Sequence, residues 1–189
     1  GQVTFTFYSD STNTSMSAII MNAPLIKKVY VPKYLFVLSR VISSTINLLA
    51  SFTALLLVMT AMRAELHFMS FLFFVPLALL IVFSLGISLM LSAIVVKFRD
   101  VMHLYSVFVT ALMYLTPVIY PMSILPHWMT YVVWANPITN YLMMFRDVML
   151  NNSVPELWQL GLGIAEAVLA LVIGLWVFYK KQDEFILNL

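Results

Sequence analysis

The chain reads as long apolar blocks separated by short polar ones. Four blocks are long enough to cross about 30 Å of hydrocarbon, which takes about 20 helical residues: residues 41–62, 71–96, 102–120 and 160–179. Within each block the apolar residues run on without alternation. That pattern predicts helices and excludes a transmembrane β-barrel, whose strands alternate faces. The third block breaks near its end at Pro117 and Pro121.

The intervening stretches differ in kind. Residues 1–21 are rich in Ser and Thr and too polar to span alone; they read as the polar end of a helix or as an extended tail. Residues 22–40 are basic and punctuated by Pro24 and Pro32, which predicts a short surface helix between larger elements. Residues 121–157 carry Pro121, Pro126, Pro137 and Pro155. This stretch is too short for two spans and too apolar for a free loop. Two short helices dipping partway into the membrane, a re-entrant hairpin, fit it better, because interrupted backbone at membrane depth survives only against protein or a water-filled cavity. The expected fold is an all-α integral membrane bundle with about four full spans and part of another.

Composition agrees. Of 189 residues, 62% are hydrophobic and 10% charged, against about 25% charged in soluble domains. There is no cysteine, which excludes disulfides and thiolate metal sites. A net charge of +2 gives no footprint for nucleic acid. The placement of charge says more. If successive spans alternate direction, eight of the ten basic residues fall on one side: Lys27, Lys28, Lys33, Arg40, Lys97, Arg99, Lys180 and Lys181. Only Arg63 and Arg146 fall on the other. Basic residues gather on the cytoplasmic side. The turn at 97–100 and the C-terminus are therefore expected in the cytoplasm, and residues 121–157 outside.

Catalytic signatures are sparse. No G-x-x-x-x-G-K-[ST] loop or H-E-x-x-H pair occurs. His67, His103 and His127 fall on different loops and predicted sides, a poor arrangement for a shared metal. The serines in the spans have no base beside them to make a nucleophile. The spans do contain small polar stripes at helical spacing: Ser43, Asn47 and Ser51; Ser84, Ser88 and Ser92; and the shorter pair Ala170 and Gly174. Such stripes let helices approach closely, and the one through Asn47 is the candidate lining of a polar path. Glu166 is the carboxylate inside a span, and its cost there requires it to face protein or water.

The order of four segments resembles a family. "NAPLIKKVYVPKYLFVLSRV" is similar to the stretch after the second transmembrane helix in permeases of type-2 ABC exporters, the branch that exports O-antigen, capsule and teichoic-acid polymers. "VVKFRDVMHL" resembles the cytoplasmic turn between their fourth and fifth helices. "LTPVIYPMSILP" followed by "ANPITNYLMMFRDVML" resembles their extracellular re-entrant region. The resemblance implies six transmembrane helices per subunit, a homodimeric pore in the bacterial plasma membrane, and a lipid-linked glycan as cargo. It implies that ATP and Mg are used by a separate ATP-binding subunit, with no cofactor in this chain and no catalytic residue. An interface helix, a first span and most of a second would then precede this sequence, with residues 1–21 the cytoplasm-leading part of that second span.

A motor-driven permease without a nucleotide motif needs a surface for its motor. Leu25, Ile26, Lys27 and Lys28 on the first cytoplasmic stretch, and Lys97, Phe98, Arg99 and Asp100 on the second, are the candidates. Leu25 and Ile26 are expected as apolar anchors with the lysines at the rim, and Asp100 as the cap of the helix that follows. Tyr114, Pro117, Tyr120, Pro121, Asn136 and Pro137 are the candidate outer gate, with Tyr120 foremost. The rival classes are a secondary transporter, which would show internal repeats and midplane charges, and a non-transporting module such as a lipid-modifying enzyme built on His127, Arg146 and Asp147.

Overall fold

The computed structural model describes residues 1–29, 31–62, 72–150 and 153–185. Arg63, His67, the outward loop around them and the first residue of the 71–96 block lie outside the described residues. Among the described residues all regular structure is helical: α1 Gln2–Met21, α2 Ala23–Lys28, α3 Tyr34–Ala61, α4 Phe74–Lys97, α5 Val101–Leu115, α6 His127–Trp134, α7 Pro137–Met149 and α8 Leu157–Lys181, with short 3₁₀ turns at Met122–Ile124 and Gln182–Glu184.

Three of these, α3, α4 and α8, are long and apolar enough to cross a membrane, where the sequence pattern suggests four. The difference lies in α5. It stops at Leu115 after 15 residues, about 22 Å at 1.5 Å per residue, because Pro117 drives Thr116 out of the helical region (φ −84°, ψ 134°). Helix α3 departs in the opposite sense. It starts at Tyr34, ahead of the apolar block, and carries Ser39 and Arg40 on its first turns. Hydropathy hides that start, but Val37 and Val41 are buried and hold it against the bundle.

Helix α4 is the core of the bundle, with buried residues along its length from Pro76 to Val96. Helix α8 packs along it in the same direction. Tyr141 of α7 packs at a tilt against Phe83 of α4 and donates to the Gly163 carbonyl of α8 near one end, while Val96 and Phe178 share an apolar cluster near the other. The contact is backbone on backbone: a Cβ on Gly174 would sit 2.1 Å from the Gly86 carbonyl oxygen, and one on Gly86 would sit 2.3 Å from the Ala170 carbonyl carbon. The Ala170–Gly174 stripe thus meets Gly86, and no side chain fits between.

Residues 2–21 form one 20-residue helix rather than an extended tail. It lies against α4, α3 and α5. Its inward face is Phe5, Phe7, Tyr8, Met16 and Ile19 with the small Ser11, Thr12 and Ser15. The second serine stripe answers it from α4: Ser84, Ser88 and Ser92 are fully buried, and Ser88 lies 3.4 Å from the Ser11 carbonyl.

Candidate functional site

The end of α1, helix α2, the start of α3 and the ends of α4 and α8 converge on one apolar cluster of Ile19, Ile26, Val37, Leu89, Val96 and Phe178. The basic residues that sequence assigns to one side stand around this end of the bundle. Lys33 donates to the Gln182 carbonyl at 2.5 Å and lies over the Phe185 ring; Lys180 lies over Trp176 and Lys97 over Phe98. Helix α2 begins with Pro24 in its first turn and ends with Lys27 and Lys28, an arrangement favoured at both termini.

Here the structure corrects two expectations. Ile26 is not a free anchor. It is 8% exposed and seats α2 on the bundle. Leu25 of α2 and Val29 just after it, 46% and 49% exposed, are the apolar residues offered outward here. Asp100 stands at the N-cap position of α5, but its own backbone is helical and its side chain makes no capping bond. Its charge therefore acts on the helix start only through the dipole. With Lys97, Phe98 and Arg99 it forms an exposed turn, Phe98 the apolar member.

A second feature lies between the first half of α1 and the middle of α3. Asn47 and Ser51 face a groove of about 510 Å³, together with Gln2, Thr6 and Asp10 of α1 and Ser44 of α3. Ser44 donates to the Asp10 carboxylate at 2.5 Å. Of the Ser43–Asn47–Ser51 stripe, Asn47 and Ser51 line this groove with Ser44, and Ser43 does not. A smaller cavity of about 340 Å³ flanks the other side of the same α1 stripe, against Met113 and Val118.

The outer region is held by specific bonds. Asn136 accepts from Ile138 N–H as the cap of α7 and donates to Thr116 Oγ1 at 2.8 Å, which donates in turn to the Leu112 carbonyl. Asn136 is 6% exposed, and Pro137 fills the first turn of α7. The Tyr120 hydroxyl folds back to the carbonyls of Tyr114 (3.0 Å) and Leu115 (3.2 Å), closing the C-terminal end of α5. Tyr114 is exposed, Pro117 buried and Pro121 exposed. Of the expected gate residues, the structure thus joins Tyr114 with Tyr120, and Asn136 with the α5 end. Arg146 reaches the Val118 carbonyl at 3.1 Å and ties α7 to the same turn.

Glu166 is half-buried on α8 and faces protein, with Asn140 of α7 3.4 Å from its carboxylate. Asn140 also donates to the Gln159 carbonyl at 3.1 Å. Together with the Tyr141–Gly163 bond this fastens α7 to the first half of α8.

Sequence reasoning passes over Asp10, Gly86, Thr116 and Asn140. Asp10 had a readable signal: Gln2, Thr6, Asp10 and Asn13 recur at helical spacing on a helix whose other side carries the aromatics. The others act through partners remote in the chain, and no local pattern marks them.

Comparison with known proteins places the chain. The family model for the ABC-2 type transporter matches residues 2–150. An "O-antigen export system permease protein RfbA" of Klebsiella pneumoniae is 26% identical over 183 residues, covering 95% of this chain and 69% of that protein. A protein of the same name from Myxococcus xanthus is 25% identical over 187 residues, covering 98% and 72%. Permeases of this family work with a separate ATP-binding subunit. The chain belongs to the ABC-2 type transporter family as a membrane permease subunit, not an enzyme, and is homologous to proteins named for O-antigen export.

Proposed function

We propose that this chain is the membrane subunit of an ATP-driven exporter that moves a lipid-linked polysaccharide, or a related polyol-phosphate polymer, across the bacterial plasma membrane. Two copies form the pore. ATP and Mg belong to the separate ATP-binding subunit. The basic end of the bundle, with the C-terminus, faces the cytoplasm. Residues 121–157 form the outer re-entrant region; Pro121, Asn136 and Pro137 of it, with Tyr114, Pro117 and Tyr120 just ahead of it, close the outer mouth.

The observation that carries the reading is that α2 and the end of α4 before the 97–100 turn meet at the basic end, where Ile26 and Val96 share one apolar cluster. Leu25 and Val29 are exposed beside Lys27 and Lys28, and Phe98 is exposed between Lys97 and Arg99. An apolar centre with a charged rim is the anatomy of a protein docking surface.

Leu25→Asp, made in the full transporter, is expected to weaken binding of the ATP-binding subunit by about thirtyfold, the scale of one lost anchor of about 2 kcal/mol. Membrane insertion should be unchanged. Undiminished co-purification and undiminished ATP-driven export of the polymer would defeat the docking assignment. Labelling of Lys97→Cys by an impermeant reagent from outside intact cells would defeat the orientation.

A further inference from the structure

We propose that the groove between α1 and α3, centred on Asp10 and Asn47, is a water-filled station that binds sugar hydroxyls of the exported glycan. This rests on the export reading above and adds to it the residues that hold the cargo.

The argument begins with what α1 shows its surroundings. From Thr6 to Ser17, every residue of α1 that is not buried is polar: Thr6, Ser9, Asp10, Asn13, Thr14 and Ser17. A helix that faced lipid there would expose a carboxylate and an amide to hydrocarbon, which membrane helices avoid. The stripe sits within the bundle, with α3 on one flank and the end of α5 on the other. Helix α3 continues the surface with Ser44, Asn47 and Ser51, while its opposite side exposes Ile42, Ile46 and Leu57.

The chemistry of the lining selects the ligand. Asp10 accepts one bond, from Ser44, and a carboxylate has room for several more. The side chains of Gln2, Thr6, Asn47 and Ser51 make no hydrogen bond among the described residues. Carboxylate, amides and hydroxyls together offer both donors and acceptors at close spacing. Vicinal sugar hydroxyls, each donor and acceptor at once, match that set; an acyl chain matches none of it. The groove's 510 Å³ falls within the range of small-ligand sites. The groove runs from Gln2 in the first turn of α1 to Asp10 near its middle, against the middle turns of α3, so it leads from the middle of the bundle toward one end, as a station along a path would.

The test uses the full transporter with its ATP-binding subunit in proteoliposomes. The probe is a polyprenyl-diphosphate-linked neutral hexose oligosaccharide. Single cysteines are placed in the cysteine-free chain at Asn47→Cys and Ser51→Cys, and at Ile46→Cys and Leu57→Cys as lipid-facing controls. A charged maleimide is expected to label the groove positions about tenfold faster or more, because such a reagent is excluded from hydrocarbon. The probe is expected to slow that labelling during turnover. Asp10→Leu should cut transport about tenfold, the scale of one or two hydrogen bonds, and Asp10→Asn by less because an amide still pairs with hydroxyls. Asn47→Leu serves as the second variant should Asp10→Leu not fold. Groove cysteines that resist labelling would mean that protein or lipid fills the space, and would overturn the proposal. Labelling that the probe leaves unchanged, while the wild-type transporter moves the probe, would leave a wet cleft without a binding role and overturn the station alone. A wild-type transporter that moves no probe at all overturns the neutral-glycan cargo, and the station with it.

Discussion

Helices α1 and α8 are of similar length, 20 and 25 residues, and both pack along α4. Their outward faces are opposites. Helix α8 exposes Leu162, Val168, Leu169, Val172, Ile173 and Trp176. Helix α1 leaves Thr6 exposed and Ser9, Asp10, Asn13, Thr14 and Ser17 partly exposed. Their inward faces are both built for closeness, α8 through glycine and alanine, α1 through serine and threonine beside aromatics. The pair teaches that hydropathy reports the solvent of a helix and not its place in the bundle. Lipid is the solvent of α8. The outer side of α1 requires water or polar protein, although the helix is as deeply built into the fold.

The largest test of this contrast is on the inner face of α8. Gly174→Val would drive a branched side chain into the Gly86 carbonyl, where even a Cβ lies at 2.1 Å. Overpacking costs typically about 1–3 kcal/mol when side chains give way. Here the obstacle is backbone, so the cost should exceed that range and separate α8 from α4. Loss of monodisperse protein in size-exclusion chromatography is the expected outcome, with Gly161→Val as the control, since nothing lies within 4 Å of a Cβ at Gly161. A Gly174→Val protein as stable as the control would show that the helices do not meet in this way.

The outer faces supply the next test. Val172→Lys places a charge in the middle of the exposed face of α8 and should cost about 2.5–3.5 kcal/mol on insertion. Thr6→Lys places the same charge on the exposed stripe of α1, one turn from Asp10. An aqueous surroundings and an i, i+4 pairing with Asp10 should hold its cost under about 1 kcal/mol. Membrane yield and thermal midpoints of the two variants measure the difference. Equal losses would mean that α1, like α8, faces hydrocarbon.

How much of this was legible beforehand follows from the same contrast. The apolar blocks behind α4 and α8 were readable because both helices are apolar along their whole length. The common end of the basic residues was readable because topology, not packing, sets it. The start of α3 was not, since a helix that enters the bundle through Tyr34–Arg40 looks like a basic loop until Val37 is known to be buried. Helix α1 was harder still: its polar outer stripe and its serine-lined inner face both lower hydropathy, for different physical reasons. The site residues divide likewise. Asn47 and Glu166 stand out by polarity within apolar runs. Leu25 and Ile26 are neighbours in sequence, and only the fold turns one outward and the other in.

The smallest test concerns what holds α1 to α4. Ser88 makes a long contact of 3.4 Å with the Ser11 carbonyl, and the buried hydroxyls of Ser84 and Ser15 have no partner among the described residues. If the serine stripes act by hydrogen bonding, removing Ser88 Oγ should be felt. If they act by being small, it should not. The geometry favours size, so Ser88→Ala is expected to cost about 0.6 kcal/mol, the average for a membrane interhelical hydrogen bond, or less. Ser84→Ala removes an unpaired buried hydroxyl without changing its neighbours' contacts, and should be neutral or slightly stabilising. Ser84→Leu, by contrast, adds volume where α1 and α4 are in contact and should cost about 1–3 kcal/mol. Thermal midpoints of the three variants in one detergent separate the cases. A Ser88→Ala loss as large as that of Ser84→Leu would make hydrogen bonding the glue of the α1–α4 contact, and α1 would then differ from α8 on its inner face as much as on its outer one.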